Sequence, residues 1–171
     1  EVNRSNIDIG ELNFSYNVDL DWLQMDMMYS KSSLENKYAQ PMDRYYLKFK
    51  NDFMKLKLGD SYPNIDEYGW NGKHVRGINF IFNKGPFYLN IVNGKTNRAI
   101  QGSPTKNAMI ISNIDSTLDD WTIGVSRDNY TFQQDVTAAK LKLKFGKKVL
   151  WDLNYIKVQD NIATVSRIVP N

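Results

Sequence analysis

The sequence predicts an all-β protein made of antiparallel, up-and-down hairpins, and three observations support this. Apolar and polar residues alternate at period 2 over most of the chain, as they do in strands that meet two different environments. Turn-forming residues separate these runs, and aromatic residues, which favour strands, make up 13% of the 171 residues. No run approaches the roughly 20 apolar residues of a membrane-spanning helix. We expect about ten strands, in a single domain over residues 1–171.

The first hairpin is predicted over residues 6–17 and 20–29, with its turn near residues 17–19. Asn and Asp at this turn tolerate the positive φ of a tight hairpin. A short helix beginning near Met25 is the alternative for the second half of this segment.

The second hairpin, residues 43–59, shows the alternation clearly. Met54, Leu56 and Leu58 point to one side of a strand, and the lysines between them point to the other. The turn is predicted at Asn51 and Asp52.

Two further hairpins are predicted over residues 74–93 and 135–158. The first turns at residues 83–86, where Pro86 begins the next strand and its missing N–H does little harm. The second turns at residues 146–148.

Short and long connections alternate along the chain. Long polar connections are predicted at residues 30–42, 59–73 and 94–118, with further strands at 121–125 and 163–169. Outer-membrane barrels combine long loops outside the cell with short periplasmic turns, and a chain without apolar helices can span a membrane only as a closed barrel. The sequence therefore predicts a transmembrane β-barrel or part of its wall, and a soluble β-sandwich is the alternative.

Composition argues against several classes of function. The chain has no cysteine and therefore no disulfide or thiolate metal site. His74 is its single histidine, whereas a histidine metal cluster or a catalytic triad needs several convergent groups. The net charge of +3 comes from dispersed basic residues and does not indicate nucleic-acid binding. We predict a non-catalytic protein without a cofactor or a metal.

Seven lysines occupy the polar sides of predicted strands. They are Lys48, Lys50, Lys55, Lys57, Lys140, Lys142 and Lys144. In a barrel they would line the lumen and favour anions. The alternative is a solvated sheet face that also deters edge pairing.

The connection around residues 59–73 contains the other candidate residues. Asp60 and Arg76 stand at opposed strand ends, and we expect an ion pair between them. Tyr62, Tyr68 and Trp70 are candidate exposed contacts for sugars or protein partners. The alternative for these three rings is local packing within the loop.

Short motifs in residues 54–100 resemble barrel segments of large outer-membrane proteins from Bacteroidetes-like and related bacteria. Such proteins carry a G-D strand end, a G-x-x-V-R-G strand start and a G-K-T-x-R-A exit. The family's own function is mostly undefined, so the resemblance implies barrel architecture in the bacterial outer membrane. The matching stretches are residues 56–60, 72–78, 85–87 and 92–100, and residues 119–158 match loosely.

The resemblance also bears on the extent of the chain. Outer-membrane barrels usually end in a strand with a terminal aromatic residue, whereas this sequence ends Ile168-Val169-Pro170-Asn171. We therefore expect a segment of a longer chain. The leading hypothesis is a pore, scaffold or surface anchor whose partners are outer-membrane lipid, other envelope proteins or the rest of that chain. The alternative is a soluble binding or adhesion module at the cell surface or in the periplasm.

Overall fold

The structure is a computed structural model that describes residues 10–67, 69–102, 110–116, 121–126, 130–146 and 148–165; of residues 110–116 and 121–126 it describes the backbone. These residues form twelve strands and one 3-10 turn at Ile162–Thr164, so the all-β prediction is confirmed. Within these residues, no helix has the length and apolar character needed to cross a membrane.

Eight strands form one antiparallel sheet, and most of them pair with the strands next to them in sequence. In sheet order they are β1 (Glu11–Leu20), β2 (Leu23–Ser32), β3 (Arg44–Lys50), β4 (Met54–Ser61), β7 (Val75–Lys84), β8 (Phe87–Asn97), β11 (Gln133–Phe145) and β12 (Val149–Asn161). This is the predicted up-and-down arrangement. The described sheet is open, and its edges are β1 and β12.

Two short hairpins are inserted into the long connections. β5 (Asn64–Asp66) pairs with β6 (Trp70–Asn71), and β9 (Ile110–Ser116) pairs with β10 (Trp121–Ser126). Of these strands, only β10 is predicted from the sequence. β5 and β6 have three and two residues, too few to establish a period.

The two ends of the main sheet differ. Tight turns follow β1, β3, β7 and β11 at one end, here named the turn end. In the turn after β3, the Oδ1 atom of Asn51 accepts the N–H groups of Phe53 and Met54 at 3.1 and 2.7 Å. The long connections follow β2, β4 and β8 at the other end, the loop end.

One local prediction is wrong, and one alternative is excluded. The first turn lies at Asp21 and Trp22 instead of residues 17–19, because Asn17 pairs with Asp26 inside the ladder. Met25 lies in β2 and not in a helix. Residues 6–9 lie outside the described residues. Of the predicted last strand, residues 163–164 lie in the 3-10 turn, and the residues after 165 lie outside the described part.

A pair of glycines allows β7 and β8 to approach closely. Gly77 and Gly94 are register partners, and a Cβ added to Gly77 would lie 2.2 Å from the carbonyl oxygen of Asn93. We expect Gly77→Ala to lower the free energy of unfolding by about 1–3 kcal/mol, because the backbone must shift to relieve the clash. Equilibrium unfolding in denaturant measures this loss.

Gly10→Ala is the matched control for that substitution. The nearest atom to a Cβ at Gly10 is the Oγ atom of Ser33, at 3.9 Å, which is ordinary contact distance. We expect Gly10→Ala to unfold at the midpoint of the unsubstituted chain. If Gly77→Ala does the same, the close approach of β7 and β8 does not exclude a side chain at Gly77, and the prediction is wrong.

Candidate functional site

The first face of the main sheet is apolar across all eight strands. Register partners in an antiparallel sheet lie side by side on the same face. One such row consists of Val18, Met25, Phe49, Leu56, Phe80, Ile91, Ala139 and Tyr155. We name the face that carries this row the apolar face.

The opposite face is mostly polar, because alternate residues of a strand point to opposite sides. Its corresponding row consists of Asp19, Gln24, Lys50, Lys55, Ile81, Asn90, Lys140 and Asn154. We name this side the polar face. Ile81 is the one apolar residue of the row.

Strand alternation and register put all seven predicted lysines on the polar face. Lys48 forms an ion pair with Asp26. The Nζ atoms of Lys140 and Lys142 lie 3.6 and 3.2 Å from the Oδ2 atom of Asp152. The lysines without an acidic partner among the described residues are Lys50, Lys55, Lys57 and Lys144. The Nζ atom of Lys57 instead lies 3.9 Å from the centroid of the Tyr46 ring. The polar face therefore retains positive charge after internal pairing.

The apolar face carries large exposed side chains. Leu153 is 58% exposed and Trp151 57%, and Phe14, Ile78 and Phe87 are also exposed. A contiguous exposed apolar surface of this kind marks an interface with a partner or a membrane.

Aromatic residues are frequent on the apolar face. At the turn end, the Phe145 and Trp151 rings meet edge to face at a centroid distance of 5.3 Å, and Phe53 meets Phe82 at 6.1 Å. Nearer the loop end, Tyr29 and Tyr45 are register partners, and Tyr155 lies at the middle of β12.

The connection between β4 and β7 folds over the loop-end half of the polar face. We name this segment, residues 62–74 with β5 and β6, the inner hairpin. The Nζ atom of Lys140 donates to the carbonyl oxygen of Ile65 at 2.7 Å, and the Nδ2 atom of Asn154 lies 3.4 Å from Oδ1 of Asp66. Both donors belong to polar-face positions, so the hairpin lies against that face.

Apolar side chains hold the inner hairpin in place. Ile65 and Trp70 of the hairpin are buried together with Val75, Val92, Val136 and Ala138 of the sheet, and Ile156 packs against them. Val92, Ala138 and Ile156 share one register row of the polar face. The sequence carries a signal for this contact, namely apolar residues at positions whose alternation should make them polar.

The three predicted loop contacts have different outcomes. Trp70 is only 4% exposed, so the prediction that it is an exposed contact is wrong. Its ring is packed inside the protein, as the alternative interpretation of these residues stated. Tyr62 is 57% exposed, and its ring lies 5.5 Å from that of His74. Tyr68 lies outside the described residues.

The structure brings Asp60 and Arg76 together at the base of the inner hairpin. Nε and Nη2 of Arg76 donate to the two carboxylate oxygens at 2.8 and 3.0 Å, and the Asp60 side chain is 4% exposed. The same carboxylate accepts the N–H of Tyr45 at 2.7 Å and contacts Nε2 of His74 at 2.7 Å. A buried carboxylate needs this number of partners, because leaving a buried charge unpaired is costly.

A second set of polar contacts fixes the connection between β2 and β3 to the end of β8. The Arg98 guanidinium donates to Glu35 at 2.9 Å and to the carbonyl oxygen of Ala39 at 2.6 Å. The other oxygen of Glu35 accepts the N–H groups of Met42 and Asp43 at 2.6 and 3.2 Å. Sequence analysis missed Glu35 and Arg98, because no local pattern joins residues so far apart in the chain.

The contacts of Glu35 predict a pH dependence. Burial raises its pKa, but the N–H groups of Met42 and Asp43 and the Arg98 guanidinium outweigh burial and hold the pKa below its ordinary 4.5. An acid with a lowered folded-state pKa stabilises the folded state above its unfolded-state pKa, and this contribution is lost as the pH falls through the lowered value. We therefore expect residues 33–43 to be docked at neutral pH and to be released progressively as the pH falls from 4.5 through the lowered pKa.

Amide hydrogen exchange, corrected for its intrinsic pH dependence, measures that release. Glu35→Gln should reproduce it at neutral pH, because the amide keeps the shape and loses the charge. Glu67→Gln, at an exposed position of the inner hairpin, is the control. Unchanged protection of residues 33–43 in the Glu35 variant would contradict the prediction.

Comparison of the chain with protein-family models, curated proteins and solved structures finds no match. Among the described residues, no group of three or more His, Asp or Glu side chains is placed to hold a metal ion. The site is therefore defined by its own geometry: two faces of opposite character, with a hairpin packed on the polar one.

Proposed function

We propose that this chain forms part of the wall of a bacterial outer-membrane β-barrel, where it acts as a pore, scaffold or surface anchor without catalysis. Lipid would cover the apolar face, and the polar face with its seven lysines would line the lumen. The observation that carries the proposal is the apolar row, which continues over all eight strands while the polar face holds the charges.

Strand length and aromatic placement also support the proposal. A strand crosses a bilayer in about 9–11 residues, and β1, β2 and β7 have 10 each. The aromatic cluster of Phe145 and Trp151 at the turn end is in keeping with the aromatic girdle that outer-membrane barrels place at an interface. In this orientation the tight turns face the periplasm and the long connections face the outside.

The proposal also requires that both edge strands of the sheet be paired. Unpaired backbone groups are not tolerated in lipid, so β1 and β12 must pair with each other or with further strands in the membrane. The inner hairpin would narrow the lumen, and the unpaired lysines would favour anions there.

Single-cysteine labelling tests the orientation, and the absence of native cysteine makes each label unique. Leu153→Cys and Asn154→Cys place a fluorophore on opposite faces of β12. In phospholipid vesicles we expect spin-labelled lipid to quench the first label strongly and the second weakly. A chain that folds in plain buffer, with neither label quenched by vesicles, would support the soluble sandwich and contradict the proposal.

A further inference from the structure

A cavity of about 440 Å³ opens at the loop end of the main sheet, and none of its lining residues belongs to the buried cluster of the inner hairpin. We name it the rim pocket. Its walls come from the connection after β2, the first residue of β3, the segment that enters β7 and the end of β8, and they include Gln40, Arg44, His74, Arg76, Lys95 and Arg98. Its volume lies within the range of small-ligand sites, roughly 300–1,000 Å³.

Two of its four cationic side chains are held by carboxylates. Arg76 is bound to Asp60 through two hydrogen bonds, and a third joins its Nη2 atom to the carbonyl oxygen of Asp43 at 2.6 Å. Arg98 is bound to Glu35 and to backbone carbonyls. These bonds fix the shape of the pocket wall.

The other two cations are free. Among the described residues, neither the Arg44 guanidinium nor the Lys95 ammonium has a hydrogen-bond or ion-pair partner. Asp60 and Glu35 pair with two of the four cationic side chains, and Asp135 is the register partner of Lys95, so the pocket wall keeps a net positive charge. A concave surface concentrates the field of such charges and attracts anions.

We propose that the rim pocket binds a phosphate group, with Arg44 and Lys95 as its direct ligands. A phosphate group complements the net positive charge of the pocket wall. Its several acceptor oxygens suit a guanidinium fork and a mobile ammonium that approach from different strands. The phosphate can belong to a free or phosphorylated solute, or to a lipid headgroup at the membrane interface. The proposal does not depend on the barrel function, since it rests on the pocket alone.

Calorimetric titration of the folded chain tests the proposal with two probes at constant ionic strength. One probe is inorganic phosphate, and the other is a short-chain phosphatidic acid. Binding of both assigns the pocket to phosphate in general, and binding of the lipid alone assigns it to a headgroup. Both results support the proposal, and binding of neither overturns it.

The double variant R44Q/K95Q identifies the ligands. We expect it to bind the active probe at least about tenfold more weakly, because it loses two charge-assisted contacts. The control K31Q/K157Q removes the same charge from exposed loop-end positions outside the pocket and should bind as the unsubstituted chain does. Both variants should keep the far-ultraviolet circular dichroism of the folded sheet, since neither removes an internal contact. Equal affinity of R44Q/K95Q and the unsubstituted chain would overturn the assignment.

Discussion

Replacing Trp70 with alanine should release the inner hairpin from the polar face, at a cost of about 3–5 kcal/mol in the free energy that holds it there. Trp70 is 4% exposed and is the largest side chain of the buried cluster with Ile65 and Val75. Its loss leaves a cavity that a short two-stranded hairpin cannot fill by relaxing. Hydrogen exchange over residues 63–74 should become fast, while exchange in the main sheet stays slow.

Two substitutions control for this effect. Tyr62→Ala removes an exposed ring from the same segment and should leave protection unchanged. Trp70→Phe keeps a buried ring and removes an N–H that finds no acceptor among the described residues. The free energy that holds the hairpin should therefore fall less in Trp70→Phe than in Trp70→Ala. Under the proposed function, a reconstituted pore of Trp70→Ala should also show a higher conductance, because the released hairpin would no longer narrow the lumen. Slow exchange over residues 63–74 in Trp70→Ala would contradict the anchoring role.

Arginine at Leu153 should destabilise the chain in a bilayer by about 2–4 kcal/mol under the proposed function, because the apolar face would then meet lipid and the new charge would lie near the middle of β12. In water the same substitution at a side chain 58% exposed would change stability by less than about 0.5 kcal/mol. The difference between these expectations separates a membrane face from a solvated one. Urea unfolding of the chain in phospholipid vesicles measures it.

Asn154→Arg is the matched control on the neighbouring position of β12. It adds the same charge to the polar face, where the side chain can still reach the Asp66 carboxylate. We expect this variant to unfold near the midpoint of the unsubstituted chain. If the two arginine variants are equally stable in vesicles, the apolar face does not meet lipid.

The fold could be predicted where the signal was local. The hairpins of β3 with β4, β7 with β8 and β11 with β12 follow from period-2 alternation and from turn residues between the runs. The first turn was misplaced because Asn17 and Asp19 have the character of turn residues, although they face polar partners inside the ladder. A turn residue and a polar-face strand residue are chemically alike, so only the pairing distinguishes them.

The candidate site could be predicted only in part, for the same reason. The seven lysines share a face because the strand period fixes their direction, and Asp60 meets Arg76 because they end paired strands. The burial of Trp70 depends on Val92, Val136 and Ala138, which belong to strands that follow the hairpin much later in the chain. No property of the loop itself reports that contact.

The sequence by itself determined the main hairpins and the division of the sheet into an apolar and a polar face, because these depend on alternation and on neighbours along the chain. The tertiary structure alone decided that the inner hairpin folds onto the polar face and that Arg98 meets Glu35 across 63 residues to form the rim pocket. Such contacts depend on which segments the fold brings together in space. Each side chain in them is surrounded by residues that are distant in the sequence.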